Sequence, residues 1–307
     1  MVISQDNIGD FNGYEFRNWI KRKKVIDFYN QIAYEYDDTT DEYWKNYYDC
    51  LNSIIIELFN EKIHGKKILD IGCGSGLQTT LLASLGGNVT GIDITEGLIR
   101  LANYKIQNQK LDSFCFTSDA ESLPFKDNSF DIINCCGSVL DYMDHKKGIK
   151  EIGRVLKPNG ILILSFDNCI SFELLWIAID SFVDIFGYKI SIRDIYCKLL
   201  NGSDELINYP HIRNDGTKEY IPQRFFSFNQ IKKELAKSEI NIVYYYGINT
   251  LTNIFPFTIA SNPNSSKRLK NILCFLTKLD KGLIDKIPFN RFGSNIIVVG
   301  RKLPTQE

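Results

Sequence analysis

No charge of either sign dominates this chain: over 307 residues, 36 Lys and Arg stand against 37 Asp and Glu, a net charge of −1. Nucleic-acid binding needs a surplus of basic side chains on one face, so a DNA or tRNA substrate is disfavoured. No two cysteines have C-x-x-C spacing; the eight are scattered, and Cys135 and Cys136 adjoin inside an apolar strand pattern. They read as small buried hydrophobes, and neither a metal site nor a disulfide is expected. The opening MVISQDNIGDFNG lacks a basic segment followed by an apolar core and a small-residue cleavage site. No secretory signal is read there, and the cytoplasm is the expected location. Long uninterrupted apolar runs are also missing. Glu173, Asp180 and Asp184 share one helical face within Ser171 to Ile190, and Asn, Gly, Thr and Pro break the uncharged interval between Glu239 and Lys267. The first reads as an amphipathic helix, and neither reads as a membrane span.

What is present centres on Lys67 to Asp93, KILDIGCGSGLQTTLLASLGGNVTGID. An apolar run, three alternating glycines, a helical pattern and a second apolar run ending in an acid spell strand, tight turn, helix, strand, the first crossover of a parallel sheet. Gly72, Gly74 and Gly76 let the turn take unusual dihedrals and let a ligand lie against bare backbone. Asp93 lies about twenty residues beyond Gly72, where a carboxylate can accept hydrogen bonds from ribose hydroxyls. Asp70, two residues before Gly72, would repel a pyrophosphate and attract an ammonium or sulfonium, so the expected ligand is cationic at that end.

The segment ILDIGCGSG with Asp93 closing the next strand, SDAESLPFKDNSFDII, and EIGRVLKPNGILILS follow one another in order and spacing. Together they resemble class I S-adenosylmethionine-dependent methyltransferases, in the small-molecule branch that includes ubiquinone- and menaquinone-type enzymes. The resemblance covers about a third of the chain. It implies an α/β fold, a Rossmann-like, doubly wound, seven-stranded mixed sheet with N-terminal helices and an inserted helical lid. The expected divisions are an N-terminal helical cap over 1–60, the S-adenosylmethionine-binding core over 61–168, a lid over 169–224 and the C-terminal part of the sheet over 225–307. Leu77, Leu81, Leu82 and Leu85 are expected to make the inner face of the helix that follows the glycine turn, and residues 201–224, rich in Asn, Asp, Gly and Pro, read as loop.

The same resemblance carries a cofactor site onto Asp70, Gly72, Cys73, Gly74 and Gly76, onto Asp93 and Ile94, and onto Asp119 and Ala120 at the adenine. Cys136 and Gly137, at the end of the fourth strand, should border the methionine part. Tyr29 and Tyr36, in YNQIAYEYD, match the segment that folds over the bound cofactor in relatives; aromatic stripes of this kind also serve as packing. Tyr142 and His145 are the catalytic candidates, Tyr142 shaping the acceptor pocket and His145 as a base or as a solvated residue opening a helix. Asp141, His211, Arg213, Asp215 and Arg224 are further candidates for substrate contact or plain loop residues. The basic run Arg17 to Lys24 reads as a solvated helix end, with an acidic membrane surface as the alternative. The acceptor is expected to be a small molecule, mildly favoured to be apolar or lipid-like. An NAD-dependent oxidoreductase on a similar sheet and a non-catalytic cofactor-binding or assembly protein are the competing readings.

Overall fold

A computed structural model describes residues 13–38, 41–59, 63–191, 193, 195 and 206–304, without the side chains of 13–19. The opening residues read for a signal, the start of the basic run and residues 201–205 lie outside what is described. Two helices, α1 (Gly13–Ile32) and α2 (Glu42–Phe59), come first. Strand and helix then alternate through β1 (Lys67–Ile71), α3 (Leu77–Ser84), β2 (Asn88–Asp93), α4 (Glu96–Asn108), β3 (Phe114–Thr117), β4 (Phe130–Cys135), α5 (Val139–Tyr142), α6 (His145–Val155) and β5 (Leu156–Asp167). An insertion follows with α7 (Phe172–Val183) and the strands β6 (Ile207–Ile212) and β7 (Lys218–Gln223). The chain ends with α8 (Phe228–Lys237), β8 (Ile240–Ile248), α9 (Phe257–Ala260), α10 (Lys267–Lys281), α11 (Phe289–Phe292) and β9 (Asn295–Lys302).

Seven strands form one sheet in the order β3-β2-β1-β4-β5-β9-β8. The first five run parallel, and β9 lies antiparallel between β5 and β8. The strand order reverses between β1 and β4, so their carboxyl ends open a crevice there. Strands buried on both faces need continuous apolar runs, which KILDI and FDIINC supply. One face packs on α6 and α8 through Leu69, Ile133, Leu164, Ile152 and Leu235. The other packs on α2 through Leu51, Ile54, Ile55 and Phe59 against Ile68, Ile132 and Ile163. Each fully buried Leu or Ile here contributes roughly 1.5–3 kcal/mol.

Three readings from the sequence need correcting. Leu77 is exposed at 40%, and the buried face of α3 carries Gln78, Thr79, Thr80 and Leu82; a polar face is used because Thr79 must satisfy the carboxylate of Asp70 below it. Residues 207–223 are a β-hairpin, not a loop, with Tyr209 paired to Ile221 and Pro210 to Tyr220. A two-stranded ribbon has two free edges, so its prolines sit where no ladder donor is needed. In α7 the acids do not face water: Glu173 and Asp180 are buried. Glu173 accepts from the Tyr188 and Tyr209 hydroxyls and from Phe257 N, while Asp180 accepts from the backbone N–H groups of Phe186, Gly187 and Tyr188.

Candidate functional site

The turn after β1 takes three left-handed glycines, Gly72, Gly74 and Gly76, at φ +67, +52 and +84. A Cβ at Gly72 would lie 2.1 Å from Val139 Cγ2, so glycine there lets α5 close on the turn. A Cβ at Gly74 would meet only the Tyr36 ring, at 3.8 Å. Backbone therefore forms the bare floor of a cavity walled by Ile92, Asp93, Ile94, Thr95 and Leu98 on one side. Asp93 reaches across from the end of β2. Gly74 N donates to its Oδ2 at 3.0 Å and Thr95 N to its Oδ1 at 2.7 Å, fixing the carboxylate in the wall. Burial raises its pKa, and the two backbone donors oppose that rise.

The opposite wall is aromatic. Tyr29, Tyr36 and Tyr142 line it, with the Tyr29 hydroxyl donating to that of Tyr142 at 3.2 Å and the Tyr29 ring edge-on to both Tyr36 and Tyr142. Burial holds the phenols of Tyr29 and Tyr142 above their ordinary range, and Tyr48 facing Tyr36, together with burial, does the same there, so all three stay neutral at physiological pH. The segment carrying Tyr29 and Tyr36 is latched to the glycine turn and to α4. Asp37 accepts from Ser75 Oγ at 2.6 Å and pairs with Lys105 Nζ at 2.5 Å, while Asn30 Oδ1 accepts from Gly97 N at 3.0 Å. From the basic run, Arg22 also reaches the wall and pairs with Asp119 at 2.5 Å, so that residue is no solvated helix end.

Nine of the residues inferred from the sequence meet in this cavity: Tyr29, Tyr36, Gly72, Gly74, Asp93, Ile94, Ala120, Gly137 and Tyr142. Six do not line it. Asp70 lies beneath the turn, 1% exposed, accepting from Thr79 Oγ1 at 2.5 Å and Asn134 Nδ2 at 2.7 Å; burial lifts its pKa to about 6. It ties α3 and β4 to β1 and does not line the cavity. Cys73 packs on Ile99, Ala102 and Cys115, and Cys136 joins the α2 face of the core. Gly76 permits close approach of α4, since a Cβ would lie 3.1 Å from Ala102 Cα. Asp119 is held by Arg22 and by Glu121 N, and the neighbouring Ser118 and Ala120 reach the cavity instead. His145 is buried against the Phe226 ring, 4.9 Å between centroids, away from the cavity.

Sequence reasoning missed Val25, Ile26, Thr95, Leu98, Val139 and Met143 in the wall, apolar or small residues with no motif of their own. It also missed how the hairpin backs Tyr142: His211 Nε2 lies 3.2 Å from the Tyr142 hydroxyl and 3.2 Å from Gln223 Oε1. The amide of Gln223 donates to Asp167, which turns its oxygen toward His211 and selects the tautomer protonated at Nε2. Burial lowers the His211 pKa to about 4, so the imidazole is neutral. Arg213 pairs with Glu219 at 2.6 Å, Asp215 accepts from Thr217 N in the hairpin turn, and Arg224 is buried and donates to Met143 O. Among the described residues no cluster could hold a metal ion.

These features fit an adenosyl sulfonium. A backbone floor suits the methionyl part, Asp93 stands where ribose hydroxyls can donate, apolar Ile94, Leu98 and Ala120 suit adenine, and neutral tyrosine faces suit a cation. Comparison with known proteins agrees. The family described as a methyltransferase domain matches residues 69–164. A ubiquinone biosynthesis O-methyltransferase of Coxiella burnetii is 34% identical over 120 residues, 38% of this chain and 51% of its own length. The chain thus spans about half of that relative. An uncharacterized protein of Methanocaldococcus jannaschii is 29% identical over 230 residues, covering 75% of this chain and 80% of its own. Among solved structures, an S-adenosylmethionine-dependent methyltransferase from Clostridium acetobutylicum superposes with a TM-score of 0.53 at 19% identity, over 90% of this chain and 99% of its own, a likeness of fold. The match displaces the NAD-dependent reading. Residues 69–164 thus carry a methyltransferase domain, and the cofactor it points to is S-adenosylmethionine.

Proposed function

We propose that the chain transfers a methyl group to a small acceptor held against the tyrosine wall, by displacement in line with the sulfur–methyl bond. When bound, S-adenosylmethionine supplies an electrophilic methyl on a sulfonium. The Gly72–Gly76 turn and Asp93 orient that donor, and the segment latched by Asp37 excludes water. The observation that carries the reading is the pairing of a bare glycine floor with a wall of neutral phenols in one cavity.

The wall also bears on the acceptor. Among the described residues lining it there is no histidine, and Asp93 is the only carboxylate, already engaged by two backbone donors. Buried phenols held above their ordinary pKa are poor proton acceptors. The arrangement therefore favours an acceptor atom that arrives with its lone pair free near neutral pH: a neutral amine, a thiolate, an ionised phenol or a stabilised carbanion. Release of S-adenosylhomocysteine, followed across a set of such acceptors, tests this. The rate is expected to follow each acceptor's own ionisation, with no enzyme group titrating between about pH 7 and 9. Turnover confined to unactivated alcohols would contradict it.

A further inference from the structure

The helix α7 is turned inside out relative to the usual amphipathic pattern. Its carboxylates Glu173 and Asp180 point inward, while Phe172, Leu175 and Phe182 stand in solvent, Phe182 at 78% exposure. The spacing of these three places them on one side of the helix. The helix α10 repeats the arrangement. Ile272, Phe275 and Leu279 form an exposed stripe, Phe275 at 60%, and its one acid, Asp280, is buried, holding Leu251 N, Thr252 N and Thr252 Oγ1. Both helices pack on the 3-10 turn Thr252–Ile254, whose Ile254 is itself exposed. Two exposed apolar stripes therefore flank the turn that both helices contact, with the exposed Ile254 between them in the chain's packing. Exposed large apolar side chains clustered in this way mark surfaces that meet a partner.

Charge selects the partner. The helix α10 carries Lys267, Arg268, Lys270, Lys278 and Lys281. Lys281 pairs with Asp49, and Lys270 donates to Pro263 O. Among the described residues, Lys267, Arg268 and Lys278 have no ion-pair partner and lie beside the apolar stripe. Every carboxylate within the two helices is turned inward, and the exposed Asp184 sits only at the C-terminal cap of α7. We propose that this face docks on an anionic lipid surface, with the apolar side chains entering the headgroup boundary and the three cations meeting lipid phosphates. A second copy docked on the same patch by two-fold symmetry would set cations against cations. No helix of the described residues is long and apolar enough to cross a membrane, so the contact is peripheral.

The test is flotation of the full chain with vesicles of phosphatidylcholine alone and of phosphatidylcholine mixed with a third phosphatidylglycerol. Binding to the mixed vesicles should exceed binding to the neutral ones by about tenfold and should fall as salt is raised. Phe275→Asp with Leu279→Asp, and separately Lys267→Glu with Arg268→Glu and Lys278→Glu, should each abolish it. Both variants alter exposed side chains, so S-adenosylmethionine affinity and the thermal midpoint should stay at the wild-type values. Three results would overturn the proposal: no flotation with anionic vesicles, flotation that survives both variants, or a dimer seen by light scattering that Phe275→Asp dissociates.

Discussion

At the scale of single residues, the site divides into positions whose backbone demands a residue type and positions whose role depends on what the fold brings alongside. Gly72 and Gly74 belong to the first kind: positive φ and a bare floor are properties of the turn itself, and the G-x-G-x-G spacing made them legible. Asp93 was legible as part of the cavity wall because the end of its strand fixes where the carboxylate sits. Asp70 belongs to the second kind. Its charge suggested a ligand contact, but Thr79 and Asn134, nine and sixty-four residues away, claim both its oxygens. His211 is also of the second kind, and it carries a measurable signature. Its pKa is about 4 in the fold against 6.5 for the free side chain, chiefly through burial. As pH falls from 6.5 toward 4, the unfolded chain takes up a proton that the folded chain excludes, so stability is present above 6.5 and lost through this window. Relative to His211→Gln, the wild type is expected to lose on the order of 3 kcal/mol of unfolding free energy across that range. Urea titrations at several pH values measure this, and parallel curves for the two proteins would refute it.

At the scale of elements, periodicity located nearly every helix and strand of the sheet, but it said nothing about which side of an element would face inward when the partners were polar. The acids of α7 looked like a solvent face because they share one side of the helix. They are instead buried, because Tyr188, Tyr209 and the backbone of Phe257 supply donors from later in the chain. The β6–β7 hairpin was hidden for a similar reason: Pro210, Pro222 and the polar turn signal a loop, while the alternation that buries Tyr209 and Ile221 spans few residues. The inversion of α7 makes an expectation opposite to the usual one for an amphipathic helix. Glu173→Leu, which leaves the buried hydroxyls of Tyr188 and Tyr209 without their acceptor, should cost at least about 2 kcal/mol. Leu175→Ser, on the exposed side, should change stability by less than about 0.5 kcal/mol. Denaturant melts of the two variants decide between the orientations, and the reverse ranking would contradict the one described.

At the scale of the whole molecule, the parallel half of the sheet provides the floor of the cavity, and sequence motifs marked it because it depends on backbone shape at fixed spacing. The covering parts come from both ends of that core. The N-terminal α1 supplies Tyr29 and Arg22, and the inserted hairpin braces Tyr142 through His211. Those contacts join residues 69 to 113 positions apart and depend on apolar packing without motifs, so only the fold exposes them. The central claim is that the cavity between the glycine turn and the tyrosine wall holds S-adenosylmethionine through Asp93. Calorimetric titration of the wild type and Asp93→Ala, with S-adenosylmethionine and in parallel with NADH, tests it most directly. The account predicts binding of S-adenosylmethionine alone, weakened in the variant by about 1–3 kcal/mol, roughly 5- to 150-fold in Kd. An unchanged Kd in Asp93→Ala, or binding of NADH without S-adenosylmethionine, would contradict it.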